Sequence, residues 1–118
     1  MDIREKIGIA VKALDSKKAV DIKVIEVTEV SSLTDYFIVA SGNSSTHVKT
    51  LADEAEFQLT SKGVELDHIE GRSTSWILLD FNDIVIHVLG TESRGFYDLE
   101  RLWADGKDVD ISEFIDEE

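Results

Sequence analysis

The 118-residue chain has no cysteine, no proline, a single methionine, and only 12 basic side chains against 25 acidic ones. The missing cysteine excludes a disulfide framework, a thiol nucleophile and a thiolate metal site. The missing proline excludes little by itself. No apolar run approaches the roughly 18 residues a membrane span needs, and the opening MDIREKIG contains no signal-type apolar region. A cytoplasmic protein is expected, or an organelle-matrix one after loss of a presequence. The shortage of cations gives a net charge of -13 and a pI near 4.5. That balance opposes binding to a phosphate backbone, where cationic side chains supply most of the affinity. A basic protein partner fits the charge better, although acidity also serves solubility alone.

Hydrophobic residues at 42% and charged residues at 31% mark a globular chain, and the length suits one domain with a real core. In DIREKIGIAVKALDSKK, Ile3, Ile7, Ala10 or Val11 and Leu14 recur at helical intervals, and Asp2 and Glu5 have capping-box spacing. DIKVIEV alternates, with Ile22 and Val24 opposite Lys23, Ile25 and Val27, and predicts a strand. DYFIVAS is short and apolar and ends in SGNSS, so it predicts a buried strand turning through glycine into a second helix, from about Ser45 to Lys62. That helix carries Val48, Leu51, Ala52, Ala55 and Leu59 on one stripe and stops at Gly63, a C-terminal glycine cap. VELDHIEG predicts a short edge strand and SWILLDFNDIVIHV a hairpin. TESRGFYDLERLW, with Phe96, Leu99 and Leu102 or Trp103 at helical spacing, predicts a short closing helix.

This order gives an α/β fold: a mixed sheet of about five strands flanked by helices, with the two longer helices on at least one face. Residues 1–104 form this single domain. From Asp105 onward, DGKDVDISEFIDEE holds seven acidic residues and one lysine, a composition expected to form a flexible acidic tail. Val109, Ile111, Phe114 and Ile115 are the side chains that would pack if it docks. The sequence shows no internal repeat.

Within the hairpin the residues divide by face. With the turn at Phe81-Asn82, Asp80 faces Asp83, Leu78 faces Val85 and Trp76 faces His87. With the turn at Asn82-Asp83 the partners shift, but even-numbered residues of the first strand still share a face with odd-numbered residues of the second. Ile77, Leu79, Ile84, Ile86 and Val88, with Phe81, must be core. The other face carries Trp76, Leu78, Asp80, Asp83, Val85 and His87. An aromatic anchor and aliphatics within a polar rim have the composition of a protein interface. A solvated face would be richer in Lys, Glu and Thr. The same pattern fits a Trp76 covered by the closing helix or by a second copy, with its indole nitrogen satisfied.

SGNSSTH places a glycine turn at a helix N-terminus, which can offer backbone N–H groups to an anion. It lacks the P-loop lysine and the three glycines of a dinucleotide fingerprint, and Ser44 or Ser45 is accounted for as an N-cap. Nucleotidyl transfer would need two strand-borne carboxylates after such a turn to clamp metal ions, whereas Asp53, Glu54 and Glu56 lie on the predicted helix and diverge. His47, His68 and His87 fall on three elements without a shared short spacing, so no metal site is expected. No strained nucleophile motif of the G-x-S-x-G type occurs. No catalytic residue, metal ligand or cofactor is assigned, and the chain is not expected to be an enzyme.

Several motifs in order make a more specific set: Asp35-Tyr36, Gly42 with Ser44, Glu70-Gly71, Trp76 with Asp80, and His87-Val88. Arg94 follows, then Phe96-Tyr97, Leu99-Glu100 and Leu102-Trp103. From about Asp2 through Trp103 the chain resembles the Iojap-like ribosomal silencing factors. Asn82 departs from the glycine usual in that hairpin turn, and Ser75 lies in a variable loop. The resemblance implies a nucleotidyltransferase-like core without an active site. It implies binding to the large ribosomal subunit through large-subunit protein fourteen, on the face that meets the small subunit. Occupying that face blocks subunit association and represses translation under nutrient limitation. Organelle relatives imply the nearest variant, large-subunit assembly. No membrane contact is expected, nor nucleic-acid binding beyond minor ribosomal RNA contact, and a homodimer stays open.

Ribosomal proteins are generally basic, so an acidic domain with a Trp-centred patch gains steered encounter from charge and residence time from the anchor. By the face argument the expected partner-facing residues are Trp76, Leu78, Asp80, Val85 and His87, joined by Tyr97 and Glu100 on the closing helix. Arg94 has Asp80 or Glu70 as candidate ion-pair partners to hold that helix on the sheet. The competing expectation is a nucleotidyltransferase-like enzyme using SGNSS for phosphates.

Overall fold

The computed structural model describes residues 2–29, 34–71, 75–97, 106–112 and 114–115. Helix α1 (Ile3–Ser16) begins at its sequence signal: the Asp2 carboxylate accepts from the Glu5 N–H at 2.9 Å, and the Glu5 carboxylate accepts from the Asp2 N–H at 3.1 Å. Two donors left without helical partners are thereby satisfied reciprocally. Helix α2 (Ser45–Ser61) starts at Ser44, whose hydroxyl accepts from the His47 N–H, and gives way to Gly63 at φ +92. That left-handed conformation costs glycine nothing. A third helix, α3 (Thr91–Tyr97), is short. No helix among the described residues is long and apolar enough to cross a membrane.

Strands β1 (Val20–Glu26), β2 (Tyr36–Gly42), β3 (His68–Glu70), β4 (Trp76–Asp80), β5 (Ile84–Gly90) and β6 (Lys107–Val109) form one sheet in the order β3-β4-β5-β2-β1-β6. β2 and β5 lie side by side in parallel at its centre, and the other pairings are antiparallel. The two central strands read YFIVASG and IVIHVLG, nearly without polar alternation, as burial on both faces demands. β4, one place further out, alternates: Ile77 and Leu79 are buried while Trp76, Leu78 and Asp80 are half-buried.

α1 and α2 cover one face of the sheet. Ile7, Val11 and Leu14 from α1 and Val48, Leu51, Ala55 and Leu59 from α2 pack on Val24, Ile38, Ala40, Ile77, Leu79, Ile84, Ile86 and Val88. The opposite face groups Ile25, Val27, Phe37 and Val85 against Leu78, and Val39 and Leu89 against Trp76.

The hairpin adopts the second of the two registers allowed by the sequence. Asp80 faces Val85, Leu78 faces His87 and Trp76 faces Leu89, with Asn82-Asp83 in the turn. The division into faces is the same in both registers. Asn82 sits at φ +77, and its N–H donates to the Asp80 carboxylate at 2.8 Å. Asparagine tolerates this left-handed conformation better than other non-glycine residues, which explains how the turn forms without a glycine. Asp83 does not share the Trp76 face. It turns toward α1 and pairs with the Lys6 ammonium at 2.8 Å.

The acidic C-terminal segment departs from its expected form. Lys107–Val109 pairs antiparallel with β1, Val24 opposite Val109, so the sheet has six strands rather than about five. Phe114 is buried, with the Arg4 guanidinium 5.3 Å from its ring centre. It sits so close to Gly8 that a Cβ added there would lie 3.2 Å from the ring. Net charge describes the average solvation of a segment, but docking is decided by individual apolar side chains. Here Val109, Ile111, Phe114 and Ile115 recur often enough to reach the core of α1 and β1.

Two substitutions test these assignments by urea denaturation. Asn82→Gly should leave stability within a few tenths of a kcal/mol, and Asn82→Val should cost about 1–2 kcal/mol because a branched side chain is forced into left-handed backbone. Phe114→Ala should cost about 3 kcal/mol, the usual range for a buried ring. Equal stability of parent and F114A would show that the C-terminal segment does not help hold α1.

Candidate functional site

The β4–β5 register sets Trp76, Leu78 and Asp80 beside Leu89, His87 and Val85, and directly opposed residues share a face. Depth separates them. Trp76, Leu78 and Asp80 are half-buried, while Val85 is 8% exposed and His87 7%. The His87 ring meets Phe37 edge-on, centroids 5.1 Å apart at 73°, and lies 6.0 Å from the Trp76 ring. Its Nδ1 accepts from the indole Nε1–H at 3.1 Å. Val85 and His87, expected to face a partner, are therefore the floor on which Leu78 and Trp76 rest. The reason is strand order: β5 is central, and neighbours overlie its side chains on both faces. The side chain of Tyr97 and all of Glu100 lie outside the described residues.

At the open end of this face β3 adds residues that sequence reasoning missed. His68 pairs opposite Asp80 and Glu70 opposite Leu78, so both join the Trp76 face, while Ile69 points to the helices. The alternation around Ile69 was the available signal, but its meaning depends on a β3–β4 register that no local pattern supplies. His68 Nδ1 lies 2.7 Å from an Asp67 carboxylate oxygen and 3.8 Å from one of Asp80, and Nε2 lies 2.9 Å from Glu70. Carboxylates only accept, so both ring nitrogens donate and the ring is an imidazolium. The hydrogen bond to Asp67, then that to Glu70, raises the His68 pKa above the ordinary histidine value. Asp67, His68 and Asp80 also bring ligand-type atoms within 4.8 Å of one another. A ring donating from both nitrogens has no lone pair for a metal until it loses a proton.

The SGNSSTH turn has structural explanations for its unusual residues. A Cβ on Gly42 would lie 2.9 Å from the Val48 backbone nitrogen, so only glycine lets β2 run this close to α2. Ser44 caps the helix. His47 Nδ1 accepts from the Asn43 N–H at 2.9 Å, leaving Nε2 to donate to the Lys17 carbonyl at 2.8 Å and tie the turn to the end of α1. A crevice of about 440 Å³ opens here at the ends of β2 and β5, and Glu92 is the one carboxylate among its described lining residues. Asp53 pairs with Lys49, and Glu54 with Gln58, along α2. No pair of carboxylates converges on the turn among the described residues.

Arg94 is buried and donates to the Val20 carbonyl at 3.2 Å and to Ser41 Oγ at 3.1 Å. It fastens α3 to the sheet, as its place in the sequence suggested, but does so at the Gly90 end of β5. Asp80 lies at the other end, opposite Val85.

Burial pushes the His87 pKa down to about 4, and its bond to Trp76 likewise requires an unprotonated Nδ1. The folded pKa lies below the ordinary value of 6.5, so the unfolded chain takes up a proton that the folded chain refuses. Stability is thus complete above pH 6.5 and falls as pH drops toward 4, by about 3 kcal/mol in all. The His87 ring should show no NMR titration near neutrality, and His87→Gln should flatten this part of the pH–stability profile relative to the parent. A His87 resonance titrating near pH 6.5 would contradict its burial.

Residues 1–118 match the family model described as "Ribosomal silencing factor during starvation". The chain is 33% identical to a ribosomal silencing factor of Halalkalibacterium halodurans, covering 98% of this chain and 99% of that one. It is 34% identical to the Bacillus subtilis ribosomal silencing factor over 94% of this chain and 95% of the other. An X-ray crystal structure of a Chromobacterium violaceum protein is similar with a TM-score of 0.86, at 36% identity and with 88% of each chain covered. With its full length matched and a solved relative sharing its mixed sheet and helices, this chain belongs to the ribosomal silencing factor family, named for silencing rather than for a catalysed reaction.

Proposed function

We propose that this protein acts in the cytoplasm by binding the large ribosomal subunit, through large-subunit protein fourteen, with the face formed by Trp76, Leu78 and Asp80. By occupying the surface that meets the small subunit it blocks subunit joining and lowers translation when nutrients are scarce. No bond is made or broken. The observation that carries this reading is a partly exposed tryptophan held by a hydrogen bond to buried His87 and packed on Val39 and Leu89. Tryptophan is among the residues most enriched at energetic centres of interfaces. Holding it in place beforehand reduces the ordering cost of association. The net charge of -13 adds long-range attraction to a basic partner. Membership of the silencing family gives the ribosome as the assembly on which this face would act.

Trp76→Ala should weaken co-sedimentation with purified large subunits by roughly 30-fold, the effect of losing an anchor of about 2 kcal/mol. It should also restore subunit joining in a light-scattering assay. Asp80→Asn is the informative charge variant, because its amide oxygen can still accept from Asn82 and preserve the turn. It should weaken binding less, and mainly at low salt. If both variants stay folded and bind as the parent does, this face is not the docking surface.

A further inference from the structure

Two kinds of contact hold the C-terminal segment, and both have the form of ligand binding. Lys107–Val109 adds a three-residue strand to β1, opposite Val24, Ile25 and Glu26. Five residues beyond Val109 the buried Phe114 ring seats on α1 at Gly8, where a Cβ would lie 3.2 Å from it. Main-chain pairing along a strand edge, combined with a pocket for one side chain, is a recurring way of recognising an extended peptide.

We propose that α1 and β1 form a peptide-binding groove whose occupant is the chain's own residues 107–115, a strap that detaches and returns while the rest of the domain stays folded. Detachment bares Val24, Ile25 and Glu26 along the edge of β1 and opens the notch at Gly8. Val24 and Val109 pack with the α1 and α2 layer, on the side of the sheet away from Trp76. The strap is therefore separate from the docking face proposed above.

Three observations carry it. The first is self-containment. The Ser112 N–H donates to the Asp110 carboxylate at 3.0 Å, and the Phe114 and Ile115 N–H groups donate to the Ile111 carbonyl at 2.9 and 3.2 Å. These bonds lie within the segment and survive its departure. What fastens it is the short ladder and the apolar contacts of Val109, Ile111, Phe114 and Ile115, of which Phe114 alone is buried.

The second is the notch. Gly8 stands in the interior of α1, where glycine weakens a helix. The Phe114 ring supplies its structural reason, because a larger side chain at position 8 would take the seat of the ring.

The third is charge. The segment is acidic, and its seat is flanked by cations in a chain that has few of them. The Arg4 guanidinium stands 5.3 Å from the Phe114 ring centre, and Lys12 follows Gly8 by one turn on the same stripe of α1. Both side chains are exposed, and so are Lys107 and Asp108. Attraction between exposed charges selects the segment that docks without holding it tightly. A unit with one buried anchor and exposed pairing opens at a lower free energy than the core strands.

The test uses the full chain and a fluorescein-labelled peptide with the sequence of residues 105–118. Tethering gives the resident segment an effective concentration on the order of millimolar, so the peptide should bind the parent weakly. Phe114→Ala loosens the resident segment, and the peptide should bind that variant about tenfold more tightly, because more of it is open at any moment. Chemical shifts should move at Val24, Ile25 and Glu26 and around Gly8, and adding Gly8→Leu should remove the binding. Thermal melts check that both variants fold. In the parent, amide protons of residues 107–109 should exchange faster than those of β2 and β5. Equal protection there would make the segment part of the core and overturn the proposal, whatever the variants do. A folded Phe114→Ala chain that ignores the peptide, or binding indifferent to Gly8→Leu, would overturn it as well. So would a parent whose segment exchanges only between two copies, seen as a concentration-dependent dimer in light scattering. No readout involves the ribosome, so the docking reading of the Trp76 face stands or falls separately.

Discussion

The parallel pairing of β2 with β5 is the constraint on which the rest of this molecule depends. Both strands are nearly free of polar alternation and are buried along their length, so each must be covered twice. α1 and α2 meet that need on one face with a stripe of small and branched side chains. On the other face Ile25, Val27, Phe37, Val39, Val85 and Leu89 pack among themselves, and Leu78 and Trp76 of β4 lie across them. Among the described residues the second side of this core is finished by side chains of the sheet, with Trp76 partly exposed.

His87 is the polar group that this arrangement must accommodate. It stands in a layer of aliphatic and aromatic side chains, and burial keeps its ring neutral. The resulting acceptor nitrogen meets the indole N–H, which would otherwise be left without that partner in a half-dry setting. One hydrogen bond thus serves two needs: it satisfies Nδ1 of a buried imidazole, and it orients the large aromatic ring above it. Phe37 steadies the same ring from the side. In the proposed docking, a ring placed this way would begin close to its bound geometry.

Much of this was legible in the chain. Asp2 with Glu5, Ser44 and Gly63 marked helix ends because capping is a local interaction, decided within three or four residues. The two faces of the hairpin were legible because strand parity survives a shift of turn. The register itself was ambiguous: Phe-Asn-Asp lacks the glycine that would single out one turn, and Asn82 had to be seen in left-handed backbone to settle it. Depth was not legible. Whether Val85 and His87 are surface or floor depends on β5 lying next to β2, a pairing between segments more than forty residues apart. The place of His68 and Glu70 on the Trp76 face was not legible for the same reason. Among residues 105–118, the count of acids concealed the spacing of Val109 and Phe114.

The sheet ends on both sides in three-residue strands rich in charge, His68-Ile69-Glu70 at one edge and Lys107-Asp108-Val109 at the other. Unpaired strand edges are templates for uncontrolled association, and short charged ones are poor templates. β6 matters most here, because it covers Val24, Ile25 and Glu26 of β1, a seven-residue strand whose apolar alternation would make an inviting edge if left bare. By pairing with that stretch, Lys107–Val109 removes part of the edge onto which a second strand could add. Such protection matters beside an apolar face that holds a partly exposed tryptophan.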